Sequence, residues 1–176
     1  TGRFLGLGNG RIMDLYLIRH ADALALGERG NTQDSDRPLS DKGFAQSKML
    51  GAWMQRKGLA LDQVFTSPLL RAHKTAEGMV GSLSPSPSLQ LCPELAPGEK
   101  PKKLAKALRQ WGGERAALVG HLPDLPEFAA WLIGSKRAQI DLAKAGMAYI
   151  HVANEPCKGG GVLVWLVTPE WLQSET

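Results

Sequence analysis

Two short apolar runs, each stopping at a histidine, constrain this chain more than anything else in it. Leu15, Tyr16, Leu17 and Ile18 contain no Gly or Pro and give way to Arg19-His20, and Ala116, Ala117, Leu118 and Val119 give way to Gly120-His121. Uninterrupted apolar runs of this length suit strands covered on both faces better than half-exposed strands, which alternate. A sheet covered on both faces needs helices on both sides, and the segments between the runs supply them.

After the first strand, residues 22–39 read as a long polar connection with Gly27, Gly30, Asn31, Asp34, Asp36 and Pro38. Loops of this length beside a strand end are commonly functional or mobile. Ser40 reads as a helix N-cap, and Phe44, Ser47, Met49, Leu50, Trp53 and Met54, spaced by threes and fours, predict an amphipathic helix ending near Lys57-Gly58. Residues 63–66 form a second strand, broken by Ser67-Pro68. A helix then runs from near Leu69 to about Ser82 with Arg71 in its first turn. A Pro- and Ser-rich span at 84–88 leads to a short extended piece at 89–91 and a loop over 92–101. Leu104, Ala107, Leu108 and Trp111 mark one face of a third helix stopped by Gly112-Gly113, and residues 125–133 a fourth closed by Gly134. Strands at 147–152 and 162–167 flank a turn rich in Gly and Pro, so at least one of them runs antiparallel to the rest. The expected fold is an α/β three-layer sandwich, α/β/α, with a mostly parallel sheet and an antiparallel strand. No internal repeat is visible.

Composition limits the function classes. With 176 residues, 43% of them hydrophobic, the chain reads as a single globular domain over 13–176 preceded by a glycine-rich leader, 1–12, set aside as a tag remnant or unstructured extension. Setting aside Arg3 and Arg11 in that leader reduces the formal charge of +4 to +2, too mild to argue for nucleic acid. No stretch approaches the roughly 18 to 20 apolar residues of a spanning helix, and none resembles a secretory signal, so the expectation is a cytoplasmic protein without membrane association. Cys92 and Cys157 show no metal-type spacing and read as two reduced structural thiols; no metal site is expected. A monomer is the default.

The chemistry sits at strand ends. Arg19-His20, Ser67 with Arg71, and Gly120-His121 each follow a predicted strand, and in a parallel sheet those ends share one edge, where α/β proteins bind ligands. Arginine offers a fixed fork of donors that matches phosphate oxygens, and the amino end of the helix carrying Arg71 adds partial positive charge. Such a cluster suits a dianion. A neutral histidine among arginines is a competent nucleophile toward phosphorus, and the neighbouring positive charge lowers its pKa. Phosphoryl transfer asks mainly for placement and charge compensation, which these side chains provide with no metal or cofactor. The remaining polar and aromatic candidates have plainer readings. His73 reads as a solvent-facing helix residue at the edge of the site, and His151 as a structural or exposed strand residue. Lys100, Lys102 and Lys103 form a solvated run, and the tryptophans at 53, 111, 131, 165 and 171 serve packing.

Four blocks carry a family resemblance: Leu17-Ile18-Arg19-His20-Ala21; Arg37-Pro38-Leu39-Ser40-Asp41-Lys42-Gly43; Thr66-Ser67-Pro68-Leu69-Leu70-Arg71-Ala72-His73-Lys74-Thr75-Ala76; and Val119-Gly120-His121. In order and spacing they resemble the histidine phosphatase (phosphoglycerate mutase-like) superfamily. The short chain, Ala21 after the histidine, and Pro93-Glu94-Leu95-Ala96-Pro97-Gly98 are most similar to SixA-type phosphohistidine phosphatases. The resemblance implies a phosphoglycerate mutase-like fold, His20 as a nucleophile that is transiently phosphorylated, Arg19 and Arg71 as clamps on the phosphoryl oxygens, and His121 stabilising the transferring group. Glu94 and Asp124 are rivals for the proton donor, and neither is assigned. The implied substrate is phosphohistidine on a protein partner, because the modest connection from Ser82 to Leu104 offers little material for a lid. The alternatives are a small-molecule phosphomonoesterase or mutase on the same scaffold, and a catalytically silent phosphate-binding module.

Overall fold

The apolar run at 15–18 forms the middle of β1 (Ile12–Arg19), and its residues alternate between two cores. Leu15 and Leu17 pack on one side with Leu104, Leu108, Leu125 and Phe128. Tyr16 and Ile18 pack on the other with Leu50, Met54, Ala76 and Met79. The computed structural model of the protein describes residues 11–173. Of the leader, residues 1–10 lie outside the described residues. Ile12 opens β1, and the Arg11 carbonyl accepts a hydrogen bond from the Asn154 N–H at 2.6 Å.

In chain order β1 is followed by α1 (Asp41–Arg56), β2 (Gln63–Thr66), α2 (Leu70–Val80), β3 (Ser88–Leu91), α3 (Pro101–Trp111) and β4 (Arg115–Gly120). Then come α4 (Asp124–Leu132), β5 (Met147–Ala153), β6 (Gly161–Val167) and α5 (Pro169–Gln173). Among the described residues six strands form one sheet ordered β3-β2-β4-β1-β5-β6. β1, β2, β3 and β4 run parallel; β5 is antiparallel to β1, and β6 to β5. Residues of α1, α2 and α5 share one core, and those of α3 and α4 the other, so the sandwich has three layers. Crossovers from the neighbouring strands β1 and β4 therefore leave toward opposite faces, which opens a crevice at the carboxyl ends of those two strands.

Helix α1 begins as its sequence indicates, with the Ser40 hydroxyl accepting from the Gly43 N–H at 3.1 Å. Its buried face holds Ser47, Leu50, Trp53 and Met54 as expected and departs at Phe44, which is 44% exposed, while Gly43, Gln46 and Gly51 are also buried. Close approach is the cause. A Cβ at Gly43 would lie 1.9 Å from the Asp22 carbonyl oxygen, and one at Gly78 of α2 would lie 2.1 Å from Ser47 Oγ. Small residues thus set the face, and the bulkier Phe44 turns outward.

Other departures are local. The 22–39 connection carries single-turn 3-10 helices at Glu28–Gly30 and Asp34–Asp36 and is pinned by an Ala23–Leu39 bridge. Another turn of this kind, Pro93–Leu95, lies in the loop after β3. Short α5 is not anticipated by periodicity; it docks through buried Leu172. Cys92 is buried, but Cys157 is exposed in the β5–β6 turn and packs no core. Trp53 is buried and Trp111, Trp131 and Trp165 are partly so, whereas Trp171 is largely exposed. Among the described residues no helix is long and apolar enough to cross a membrane.

Candidate active site

Register brings the two histidines together. β1 and β4 pair with Arg19 opposite Gly120, so both strands end at one level and the next residue on each is a histidine. The His20 N–H extends the ladder to the Gly120 carbonyl at 2.9 Å, and the two imidazole centroids lie 5.1 Å apart, tilted by 54°. β2 flanks β4 on its other side with Thr66 opposite Val119. The residue after Thr66 is Ser67, whose hydroxyl lies 2.8 Å from His121 Nε2 and also accepts from the Leu69 N–H at 3.3 Å. The turn through Ser67-Pro68 leads into α2 and places Arg71, 6% exposed, in its first turn.

His20 is 8% exposed and His121 3%. The His20 Nδ1 lies 2.8 Å from the Ala21 carbonyl, which can only accept, so Nδ1 carries the proton and Nε2 keeps its lone pair. Burial lowers the His20 pKa to about 4, with further lowering from Arg71, Arg19 and Lys144, against an opposing contribution from the Ala21 carbonyl. His121 is lowered to about 3, first by burial and then by His20 and Arg71. Arginine charge was the expected cause of neutral imidazoles; the structure makes desolvation the larger one.

Both arginines are tied at their far ends. Arg19 donates from Nη1 to the Leu142 carbonyl at 3.2 Å, and burial lowers its pKa. Arg71 donates from Nη1 to the Asp34 carbonyl at 2.7 Å and from Nη2 to Asp34 Oδ2 at 3.0 Å. The Nε of each is buried and has no hydrogen-bond partner among the described residues, and the same holds for His121 Nδ1. Buried donors without partners are uncommon, and several around two histidines fit an oxyanion.

Surrounding residues fix this group in ways no local pattern announces. Thr75 Oγ1 accepts from the Ala21 N–H at 3.0 Å and donates to the Arg71 carbonyl at 2.7 Å, joining the segment after His20 to α2. The Ala145 N–H reaches the Arg19 carbonyl at 3.1 Å. Lys144 pairs with Asp22 at 2.7 Å, and Asp22 also accepts from the Ser40 hydroxyl at 2.6 Å. Asp34 belongs to the long polar connection, whose length was the one signal in the sequence pointing toward it.

The remaining candidates have partners of their own. Glu94 and Asp124 border, with His121, a cavity of about 10 Å³. Glu94 Oε2 accepts from the Cys92 thiol at 3.3 Å, and Asp124 Oδ1 from the Gly98 N–H at 2.9 Å. His73 pairs with Glu77 at 3.2 Å on α2, His151 with Asp14 at 2.9 Å, and Lys103 with Glu99 at 2.8 Å. The described residues contain no group of three or more His, Cys, Asp or Glu side chains placed to hold a metal ion.

Comparison with known proteins agrees with this fold. Residues 15–96 match the family model described as histidine phosphatase superfamily (branch 1). The chain is 34% identical over 167 residues to an uncharacterized protein of Picosynechococcus sp., covering 91% of this chain and 99% of that one. It is 32% identical over 114 residues to the phosphohistidine phosphatase SixA of Escherichia coli (strain K12), covering 63% of this chain and 68% of the relative. Among solved structures, the protein histidine phosphatase SixA complexed with tungstate superposes with a TM-score of 0.79 at 26% identity, over 92% of this chain and all of that one. The fold, the sequence match and the SixA likeness converge, and this chain belongs to the histidine phosphatase superfamily.

Proposed function

We propose that the protein is a phosphatase that works through a covalent phosphohistidine on His20 and dephosphorylates phosphohistidine carried by a protein partner. The observation that carries the reading is the His20 tautomer: Nδ1–H is committed to the Ala21 carbonyl, so Nε2 presents its lone pair beside two guanidinium groups. In the first step Nε2 attacks phosphorus and the P–N bond of the substrate breaks, the departing imidazole nitrogen taking up a proton. In the second, water attacks phosphorus and releases a proton to solvent, matching the one the departing imidazole drew from solvent, inorganic phosphate leaves, and the electron pair returns to Nε2. Arg19, Arg71 and His121 compensate the charge on the phosphoryl oxygens, so the route needs no metal or cofactor. A nitrogen leaving group protonates more readily than an alkoxide, and the reading assigns no dedicated acid.

A protein-borne substrate is supported by the surroundings of the site. The segment between α2 and α3 holds only β3 and a single 3-10 turn, too little for a roof. A groove of about 730 Å³ is lined by Leu122 and Pro123, the two residues after His121, with Pro126, Trp131, Ile140 and Asp141. The named activities of the SixA relative and of the SixA structure support the same class. A reducing, cytoplasmic setting belongs to the reading and fits the two free thiols.

Brief incubation with labelled phosphoramidate tests it. Acid-labile, base-stable label should appear on the wild-type chain and be absent from His20→Ala. Turnover should be higher on a phosphohistidine protein than on a panel of phosphoesters. Label on His20→Ala would overturn the covalent route, and turnover of phosphoesters alone would overturn the substrate class.

A further inference from the structure

Arg71 is held by one residue through the end of its guanidinium. Asp34 takes Nη1 with its backbone carbonyl at 2.7 Å and Nη2 with Oδ2 at 3.0 Å. Its other carboxylate oxygen accepts from Arg37 Nη1 at 2.9 Å, and Arg37 Nε is anchored to the Leu24 carbonyl at 2.7 Å. A side chain 57% exposed thus fixes one that is almost wholly buried. Guanidinium carries five N–H donors in a rigid plane with two bidentate edges, an end formed by Nη1 and Nη2 and a side formed by Nε and Nη2. With the end occupied, the side edge remains: Nε–H, buried and without a partner among the described residues, and the second Nη2 hydrogen.

We propose that Asp34 is a positioning residue that holds Arg71 end-on so that its side edge meets the phosphoryl group. The proposal rests on the reading of Arg71 as a phosphoryl ligand, but not on the covalent route or the substrate class. It makes a prediction opposite in sign to simple charge. A carboxylate near an anion site repels the anion, so deleting it should strengthen binding by Coulomb's law alone. Deleting the positioning carboxylate should weaken it, because Arg71, left with only the Nη1 bond to the backbone carbonyl, can swing about that bond and must be ordered by the ligand.

The test is calorimetric titration of the intact protein with inorganic phosphate, which needs no turnover. Asp34→Ala should weaken phosphate binding about tenfold despite the lost negative charge. Asp34→Asn keeps an oxygen that accepts from Nη2 while removing the charge, and should bind phosphate at least as tightly as wild type. In an Arg71→Lys background, which has no planar fork, Asp34→Ala should add no further loss. Equal or tighter binding by Asp34→Ala would overturn the proposal, making Asp34 a competitor for Arg71. So would an undiminished loss in the Arg71→Lys background, or a Asp34→Asn variant as weak as Asp34→Ala. If Asp34→Ala fails to fold, Asp34→Glu decides: it keeps the charge and displaces the carboxylate, so binding should weaken under the proposal, and unchanged binding would overturn it. A wild-type chain that binds no phosphate would instead overturn the phosphoryl reading of the site, and the proposal with it.

Discussion

The imidazoles of His20 and His121 lie 5.1 Å apart, each bound through one ring nitrogen to an uncharged partner, the Ala21 carbonyl and the Ser67 hydroxyl. A second proton on either ring would sit close to the other ring and to two arginines, in a place largely shut off from water. The pair therefore stays neutral well below the range of an ordinary histidine.

Ring titration followed by NMR should show neither His20 nor His121 protonating between pH 8 and 5, with transitions near about 4 and about 3 respectively. In the unfolded chain both titrate near about 6.5. Unfolded protein therefore binds more protons than folded protein between those values, so stability falls as pH is lowered from 6.5 toward 4. Above 6.5 these two groups add no pH dependence. A ring transition near 6.5 in the folded protein would refute the assignment.

Ser67→Ala removes the hydroxyl that orients His121 and also accepts from the Leu69 N–H. Loss of one buried hydrogen bond of about 1 to 1.5 kcal/mol should lower kcat/KM roughly tenfold. Steady-state kinetics on phosphoramidate check this, and unchanged rates would mean His121 is held by packing alone.

Thr75→Val preserves shape but leaves the buried Ala21 N–H without its acceptor. The expected destabilisation is about 1 to 3 kcal/mol in urea melts. Activity should drop as well, since Ala21 follows His20 and supplies the carbonyl that fixes its tautomer.

Gly43→Ala should destabilise the protein by about 2 kcal/mol or more, because the added Cβ meets the Asp22 carbonyl oxygen at 1.9 Å and helix propensity recovers only about 1 kcal/mol. Gly81→Ala is the control. There the backbone is right-handed helical, with φ −62°, and the nearest heavy atom would stand 3.4 Å away. Melts should show that change neutral or slightly stabilising.

What could be read from the chain alone followed from local rules. The runs at 15–18 and 116–119 name buried strands by composition, Ser40 names a helix start by its hydroxyl, and Gly112 a helix end by the left-handed φ of +79° it adopts. The convergence of His20, His121 and Arg71 was legible because parallel strands place their ends along one edge. Asp34, Thr75 and Leu142 were not, because each acts on a residue 37, 54 or 123 positions away through a contact that only the folded register creates. Phe44 misled for the opposite reason: its spacing fits the apolar face, but the first turn of α1 comes so close to Asp22 at Gly43 that bulk there turns outward.

The two innermost strands of the sheet, β4 and β1, end in the histidines, whereas the grip on Arg71 comes from an exposed surface loop. Hydrogen exchange should make the division visible: amides at 18 and 119 should open only when the whole molecule unfolds, those around 34 far sooner. Mild heating would then loosen the Arg71 guanidinium before it parted the two imidazoles, leaving a chain whose paired rings stay at the sheet edge while a cation beside them drifts.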